Sequence, residues 1–385
     1  MPDMRIGLLI EWLEDWRGGA QTSTQQMARG LVAAGCEVVL LTASHVSPPV
    51  DMEVRRVRVP RRPRFVQSAV FARRAAAVGR RAGCELLHAV SPVLGADLYQ
   101  PRGGVAREAY ARNLASVEPS RRWLHRLGQS TDPKRRLMLH LDRRMLDGPD
   151  GPVVLAVSRY VADQIARHHR TPADRVRVVF NGVANSTGAA DPGPAAAEIR
   201  RQFALDDAGV VCLMVAHNFR LKGLASMVAA LPRLADVGVR LVVLGRDDPR
   251  PYVEQAAAAG VSDRLVFAGP SPRAAVFMRA ADVLVHPTYY DPCSRVVLEA
   301  LSQGLPVVTT RHNGAAEAVT DGVEGFVIDS ADDVAALGDR VGRLADAGLR
   351  RRMAAEAVKL RERLSMRRHV AELTTVYGEL LEARR

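Results

Sequence analysis

The chain has 385 residues, too many for one ordinary core and enough for two domains of roughly 100–200 residues each. Hydrophobic residues at 48% beside charged residues at 25% exclude a disordered or fibrous chain. Residues 1–183 hold 29 Lys and Arg against 17 Asp and Glu, a net of +12, whereas residues 184–385 hold 25 against 25, so the whole basic surplus lies in the first half.

Short apolar runs at residues 5–10, 37–41, 54–59, 86–90, 154–157 and 176–180 alternate with helical patterns. That alternation predicts βαβ units on a parallel sheet. The basic surplus gathers in this half, in pairs such as Arg55-Arg56, Arg61-Arg62 and Arg121-Arg122 and in Lys134-Arg135-Arg136, a pattern suited to phosphates or anionic lipid. Only three of the 54 basic residues are lysine, an arginine preference that a GC-rich genome explains without explaining the asymmetry. Residues 100–150 are arginine-rich with apolar residues at helical spacing and read as helices or loops.

A small, polar, Pro- and Gly-rich stretch near residues 184–194 reads as the boundary, with a linker over 184–204 between domains of residues 1–183 and 205–364. A second series of strands is expected at residues 211–215, 240–244, 265–267, 283–286 and 306–309. Residues 365–385 carry Val370, Leu373, Val376, Tyr377, Leu380 and Leu381 at helical spacing, an amphipathic helix that needs a docking partner. The fold class is therefore α/β, with two Rossmann-like doubly wound domains.

Cys36, Cys84, Cys212 and Cys293 lie far apart, with no CxxC pair and no spacing to histidines that suggests a metal site or a disulfide framework. No signal-peptide pattern and no uninterrupted apolar stretch of about 18 residues is present, so a cytosolic protein is expected.

Ligands of open α/β sheets bind beyond the carboxyl ends of the strands. After the first strand, Gly18-Gly19 leads into a helix, which is either a phosphate cradle or plain punctuation. After the strand at 211–215 comes Phe219-Arg220-Leu221-Lys222-Gly223, whose Arg fork and Lys point charge suit a diphosphate; the alternative is a solvated basic turn. After the strand at 283–286 comes Asp291-Pro292-Cys293-Ser294-Arg295, with Glu299 eight positions beyond Asp291 in a helix starting near Ser294. Two carboxylates at that separation can serve different parts of a polyhydroxylated ligand. The apolar residues around Glu299 imply that its charge has a purpose.

Together with Gln303-Gly304-Leu305-Pro306 and Asn313-Gly314-Ala315-Ala316-Glu317, these segments resemble the donor-binding half of glycosyltransferase family 4, strongly over residues 205–345 and more loosely over the first domain. Among its members, the lipopolysaccharide-core glucosyltransferases are the nearest in flavour. The resemblance implies the GT-B fold, with the two domains facing across a cleft and the last helix crossing back to the first. It also implies a retaining, metal-independent transfer from a nucleotide-diphosphate sugar, with no cofactor, to a glycan or glycolipid. In that reading Gly18 and Gly19 cradle the diphosphate, Arg220 and Lys222 neutralise it, Glu299 holds the ribose, and Asp291 meets the transferred sugar where the family usually has Glu. Cys293 and Ser294, where Phe-Gly is commoner, and Arg295 complete the donor site. His88, Asp97 and Arg102 are candidates for the acceptor side; for His88 a satisfied, partly buried histidine is the equal alternative. The basic first half would meet an anionic membrane from the cytoplasmic side. A GT-B sugar epimerase or phosphorylase is the competing enzyme class. A nucleic-acid-binding protein is the remaining one, disfavoured by 5% aromatic residues and no binding module.

Overall fold

The computed structural model of the chain describes residues 4–13, 19–44, 52–184, 193–205 and 209–385. Two compact units result, one within Met1–Leu114, Glu118–Val183 and Ser365–Arg385, the other formed by Ala115–Val117 and Ala184–Leu364.

The first unit runs β1 (Arg5–Leu9), α1 (Gly19–Ala33), β2 (Glu37–Thr42), β3 (Glu53–Arg56), α2 (Arg64–Arg81), β4 (Leu86–Ala89), β5 (Leu98–Tyr99), α3 (Ala106–Ala115), α4 (Arg122–Thr131), α5 (Pro133–Asp142), β6 (Val153–Ala156), α6 (Arg159–His168) and β7 (Val176–Val178). Its seven strands are all parallel, in the order β3-β2-β1-β4-β5-β6-β7. Ile6 pairs with Val38 on one side and Leu86 on the other, and Ile6, Leu8 and Leu9 are fully buried. Strands covered on both faces need near-continuous apolar runs, which is why these segments were legible.

The second unit runs α7 (Gly193–Gln202), β8 (Val210–Val215), α8 (Leu224–Ala230), β9 (Val239–Leu244), α9 (Arg250–Ala258), β10 (Leu265–Gly269), α10 (Ala274–Ala280), β11 (Val283–His286), α11 (Arg295–Ser302), β12 (Val307–Thr310), β13 (Gly325–Ile328), α12 (Val334–Arg343) and α13 (Ala347–Lys359). Its six parallel strands are ordered β10-β9-β8-β11-β12-β13. The order reverses between β8 and β11, the topological switch point where open sheets part their flanking loops.

The last helix, α14 (Met366–Glu382), belongs to the first unit. Ser365 caps it by accepting from Arg368 N, and Met366 N donates to Val183 O at 2.8 Å. Its apolar face, with Val370, Leu373, Val376 and Tyr377, is buried in the same core as Ile6, Met27 and Leu31. Gly30 allows the close approach to α1: a Cβ there would stand 2.7 Å from Val370 Cγ2.

Three differences from the sequence expectation have local causes. The expected linker over 184–204 contains α7, which packs within the second unit; the Phe203 and Phe277 rings meet at a tilt with centroids 5.7 Å apart, and Arg200 donates to Ala280 O at 2.9 Å. Gly193-Pro194 read as a linker but opens a helix, where proline in the first turn sacrifices no hydrogen bond. Residues 185–192 lie outside the described residues. Strand β5 is two residues long and β13 four, too short to show a period against their turn-rich flanks.

Two histidines are buried in the first unit. His88 Nδ1 lies 2.6 Å from Tyr377 Oη and His369 Nδ1 lies 2.8 Å from Phe180 O. Burial, reinforced by the charge of Arg102, pushes both down to about 3. The unfolded chain protonates them below about 6.5, so their stabilisation is complete above that pH and declines as pH falls toward 3, by about 1.4 kcal/mol per unit and histidine. Asp142, raised to about 7 by burial, works the other way, gaining stability as pH falls from 7. Two histidines outweigh one aspartate, so urea midpoints should fall between pH 6.5 and 4.5. A His369→Gln variant should show a shallower fall, and an unchanged slope would contradict this account.

Candidate functional site

The site forms where β8 and β11 end. The turn after β8 is held by its own backbone, with Lys222 N donating to Asn218 O and Gly223 N to Arg220 O, and by Asn218 Oδ1 accepting from Leu221 N. Gly223 adopts φ +78°, and a Cβ there would come within 2.0 Å of Pro287 O, so only glycine lets this turn press against the loop after β11. The two loops are then laced together: Tyr289 N donates to Leu221 O at 2.9 Å, and Thr288 Oγ1 donates to the same oxygen at 3.1 Å. This lacing delivers Lys222 to Asp291.

Lys222 Nζ lies 2.7 Å from Asp291 Oδ2 and 3.0 Å from Tyr290 O. Asp291 Oδ1 accepts from Cys293 N at 3.2 Å, and His286 Nε2 stands 3.6 Å from Oδ2. Burial alone would raise the Asp291 carboxyl, but the Lys222 charge, with hydrogen bonding from His286 and Lys222, outweighs it and holds the group well below the usual carboxylate range. His286 is pushed down by burial, with Lys222 adding to the effect against the pull of Asp291. At neutral pH the site holds an ammonium, a carboxylate and a neutral imidazole.

The loops after β11 and β12 also bond to each other. Asp291 N donates to His312 O and Gly314 N to Asp291 O, both at 2.9 Å. Asn313, fully buried, accepts from Ser294 N at 3.1 Å and Ala315 N at 3.0 Å, and donates to Thr309 Oγ1 at 3.0 Å. Ser294 occupies the N-cap position of α11, but its side chain does not cap the helix and instead places Oγ 3.3 Å from His286 Nε2. One turn on, Arg295 Nη2 binds Glu299 Oε1 at 2.6 Å. The Glu299 side chain is 31% exposed and so presents a carboxylate to solvent beside a pinned guanidinium.

Of the residues singled out in the sequence, Lys222, Asp291, Cys293 and Ser294 are brought together at one sheet edge, with Arg295 and Glu299 on α11. Arg220 Nη1 donates to Ser116 Oγ at 2.9 Å within the same unit. Gly19 opens α1 in the first unit, and Gly18 lies outside the described residues. His88 does not line an open surface: it is 0% exposed, the satisfied, buried histidine of the two alternatives. Asp97 is a structural clasp, with Oδ2 accepting from Leu87 N at 2.7 Å and Oδ1 paired to Arg80 and Arg384. Arg102 packs against α1, bonding Ser23 Oγ and Gln100 Oε1. His88 lies within β4 and Asp97 just before β5, and in sequence a polar residue at such a place looks alike whether it faces a cleft or the core. His286 and Asn313 were not singled out as site residues; the signals were the place of His286 at the end of β11 and of Asn313 in a segment of the family resemblance after β12. Among the described residues no three His, Cys, Asp or Glu side chains gather as a metal site.

The comparisons with known proteins converge on one family. Residues 17–186 match Glycosyltransferase Family 4 and residues 196–361 match Glycosyl transferases group 1. An uncharacterised glycosyltransferase of Methanocaldococcus jannaschii is 27% identical over 390 residues, 95% of each chain. The lipopolysaccharide glucosyltransferase WaaG of Escherichia coli K12 is 29% identical over 47% of this chain and 49% of its own. A D-inositol 3-phosphate glycosyltransferase of Salinispora tropica is 29% identical over 96% of this chain and 82% of its own. Among solved structures, that of WaaG superposes with a TM-score of 0.79 at 21% identity, covering 97% of this chain and 99% of that one. Anabaena HepE in complex with UDP-glucose superposes at 0.72 and 17% identity, covering 97% of this chain and 100% of that one. With two Rossmann-like sheets, a switch-point cluster in the second, and family matches to both halves, the chain is a glycosyltransferase of the GT-B, family 4-like class.

Proposed function

We propose that the protein transfers a sugar from a nucleotide-diphosphate donor to a glycan or glycolipid acceptor with retention of the anomeric configuration. The observation that carries this reading is the Lys222–Asp291 pair at the switch point between β8 and β11. Lys222, with Arg220 beside it in the same turn, supplies positive charge for the diphosphate as it departs, the kind of preorganised stabilisation that dominates such reactions. Asp291 accepts hydroxyls of the transferred sugar, with Cys293 and Ser294 shaping the wall around it. Glu299, aimed by Arg295, accepts the ribose hydroxyls.

In the reaction the bond from the anomeric carbon to the diphosphate oxygen breaks as the acceptor oxygen bonds to the same face, and the acceptor proton passes to the leaving phosphate. No protein base is needed for that balance. HepE, solved with UDP-glucose, supports a uridine-type donor, and WaaG, from lipopolysaccharide biosynthesis, supports a cell-surface acceptor. The basic surplus of residues 1–183 supports work at the cytoplasmic face of an anionic membrane. Among the described residues no helix is long and apolar enough to cross one.

A thermal-shift panel of nucleotide-diphosphate sugars tests the reading, since a ligand that binds only the native state raises its melting temperature. At a hundred times its Kd the cognate donor adds about 2.7 kcal/mol, and the shift should survive a chelator. Silence across uridine-, guanosine-, adenosine- and thymidine-diphosphate sugars would refute the donor, and a shift abolished by the chelator would refute metal independence.

A further inference from the structure

The first sheet, like the second, reverses its order once, between β1 and β4. Loops part at such a point and leave room for a ligand beyond the strand ends. Here they are tied together around Glu11, which follows β1. Glu11 N donates to Ser91 Oγ, beyond β4, at 3.0 Å, a bond across the switch point itself. Glu11 O accepts from Ala43 N at 3.0 Å and from Thr42 Oγ1 at 3.2 Å, and Leu13 N donates to Ser44 Oγ at 2.9 Å, all at the end of β2. The backbone of Glu11 is thus fixed from both neighbouring strands.

Its carboxylate is fixed as well. Oε1 accepts from Ser68 Oγ of α2 at 2.7 Å, and the Trp12 indole donates to the same carboxylate. Burial raises the carboxyl from its ordinary range, against those two hydrogen bonds and the charge of Lys134. Two donors leave unused part of a carboxylate's acceptor capacity, roughly four positions. Glu11 and Trp12 are both half-buried, so the remaining capacity is within reach of a ligand. A partly desolvated carboxylate at a switch point, held by neutral donors, is a group prepared for further donors from outside the chain.

We propose that Glu11 and Trp12 form a sugar-binding subsite of the first unit, the carboxylate accepting a pair of ring hydroxyls and the indole covering the ring's apolar face. An aromatic face beside one well-placed polar group is the usual make-up of a site for such a ligand. The carboxylate also selects. A phosphorylated or uronic sugar would bring a like charge to it, so the ring that docks here is neutral. That this sugar is the acceptor rests on the function proposed above; that a sugar binds here does not. The subsite shares no residue with the Lys222 site.

Saturation-transfer NMR of the full-length protein tests the subsite with methyl glucoside, methyl galactoside, methyl mannoside and the anionic methyl glucuronide as probes. At least one neutral glycoside should receive saturation from the wild type, and the glucuronide should not. Glu11→Gln keeps the size of the side chain and an acceptor for Ser68, so it should melt no lower than wild type. It should bind the neutral glycoside roughly tenfold more weakly, the loss of one hydrogen bond to a charged group, and should narrow the gap to the glucuronide. Glu11→Asp, which withdraws the carboxylate by one methylene, should weaken binding while still rejecting the glucuronide. Wild-type protein that binds none of the neutral glycosides, or Glu11→Gln that binds them as wild type does, overturns the proposal. Saturation lost in Asp291→Asn but kept in Glu11→Gln places the glycoside in the donor site and overturns it too. The donor panel above is run in parallel. If a glycoside binds through Glu11 yet no nucleotide sugar shifts the melting temperature, the subsite stands and the donor assignment falls; the opposite pattern leaves the donor assignment standing without the subsite.

Discussion

Replacing Lys222 by alanine is expected to lower sugar transfer on the order of 10³-fold, the effect of removing one preorganised group that stabilises developing charge. Lys222 is 17% exposed and is held from two sides, by Asp291 Oδ2 at 2.7 Å and Tyr290 O at 3.0 Å, so its ammonium is placed before any ligand arrives. That preorganisation is what water cannot supply. The deletion also leaves the Asp291 carboxylate without its main counter-charge, and its pKa should move up toward the ordinary range. A Lys222→Arg variant keeps the charge but replaces a compact ammonium with a planar fork, and it should recover only part of the loss.

The reciprocal variant separates binding from chemistry. Asp291→Asn removes a negative charge from beside Lys222, so a free nucleoside diphosphate should bind several-fold more tightly while transfer is lost. Calorimetric titration and initial rates read the two effects independently. Glu299→Ala should instead show its loss first in donor binding, since the proposed ribose contact is remote from the bond that breaks. Near-normal kcat/KM in Lys222→Ala would sink the assignment.

Ending the chain before Ser365 is expected to unfold the first unit. The truncation strips Met366, Val370, Leu373, Val376 and Tyr377 from a core they share with Ile6, Leu8, Met27 and Leu31. Single truncations of buried side chains of this size to alanine cost about 2–5 kcal/mol. Five together exceed the roughly 5–15 kcal/mol by which a domain is stable. It also removes the hydroxyl facing His88 Nδ1 and the imidazole facing Phe180 O, leaving buried polar atoms without partners. Calorimetry of the truncated chain should show the second unit melting by itself, since none of its strands or helices comes from residues 365–385. A milder variant, Tyr377→Phe, isolates the polar contribution and should cost about 1–3 kcal/mol through the unpaired imidazole nitrogen. A truncated chain that keeps a cooperative transition for its first unit would contradict this view of α14.

Covalent spacing carried much of this far. The apolar runs of β1, β2, β8, β9 and β11 announced two parallel sheets because both faces of such strands are buried and the run needs no partner to be recognised. Lys222 by itself would mean little; what counted was its place in the turn that follows a strand, together with the spacing of Asp291 and Glu299 around the start of α11. The apolar period of α14 likewise said that it must dock, because a helix with one greasy face cannot stand in water.

Everything that depends on which residues meet across the sheet was decided by tertiary structure. The sequence put His88 at a strand-like run and Asp97 in an irregular segment but could not tell a cleft from a core. Their fates were set by Tyr377, Arg80 and Arg384, the first from α14 and the last from just beyond it, nearly three hundred residues away. His286 and Asn313 gained their roles only when β11 paired with β12 and brought their loops together. Helix α4 shows the same division from the outside. The sequence read residues 100–150 only as helices or loops, and only packing could leave Trp123 and Leu127 uncovered. Spacing along a chain is fixed by covalent bonds, whereas burial and partnership are properties of neighbours that the fold alone assembles.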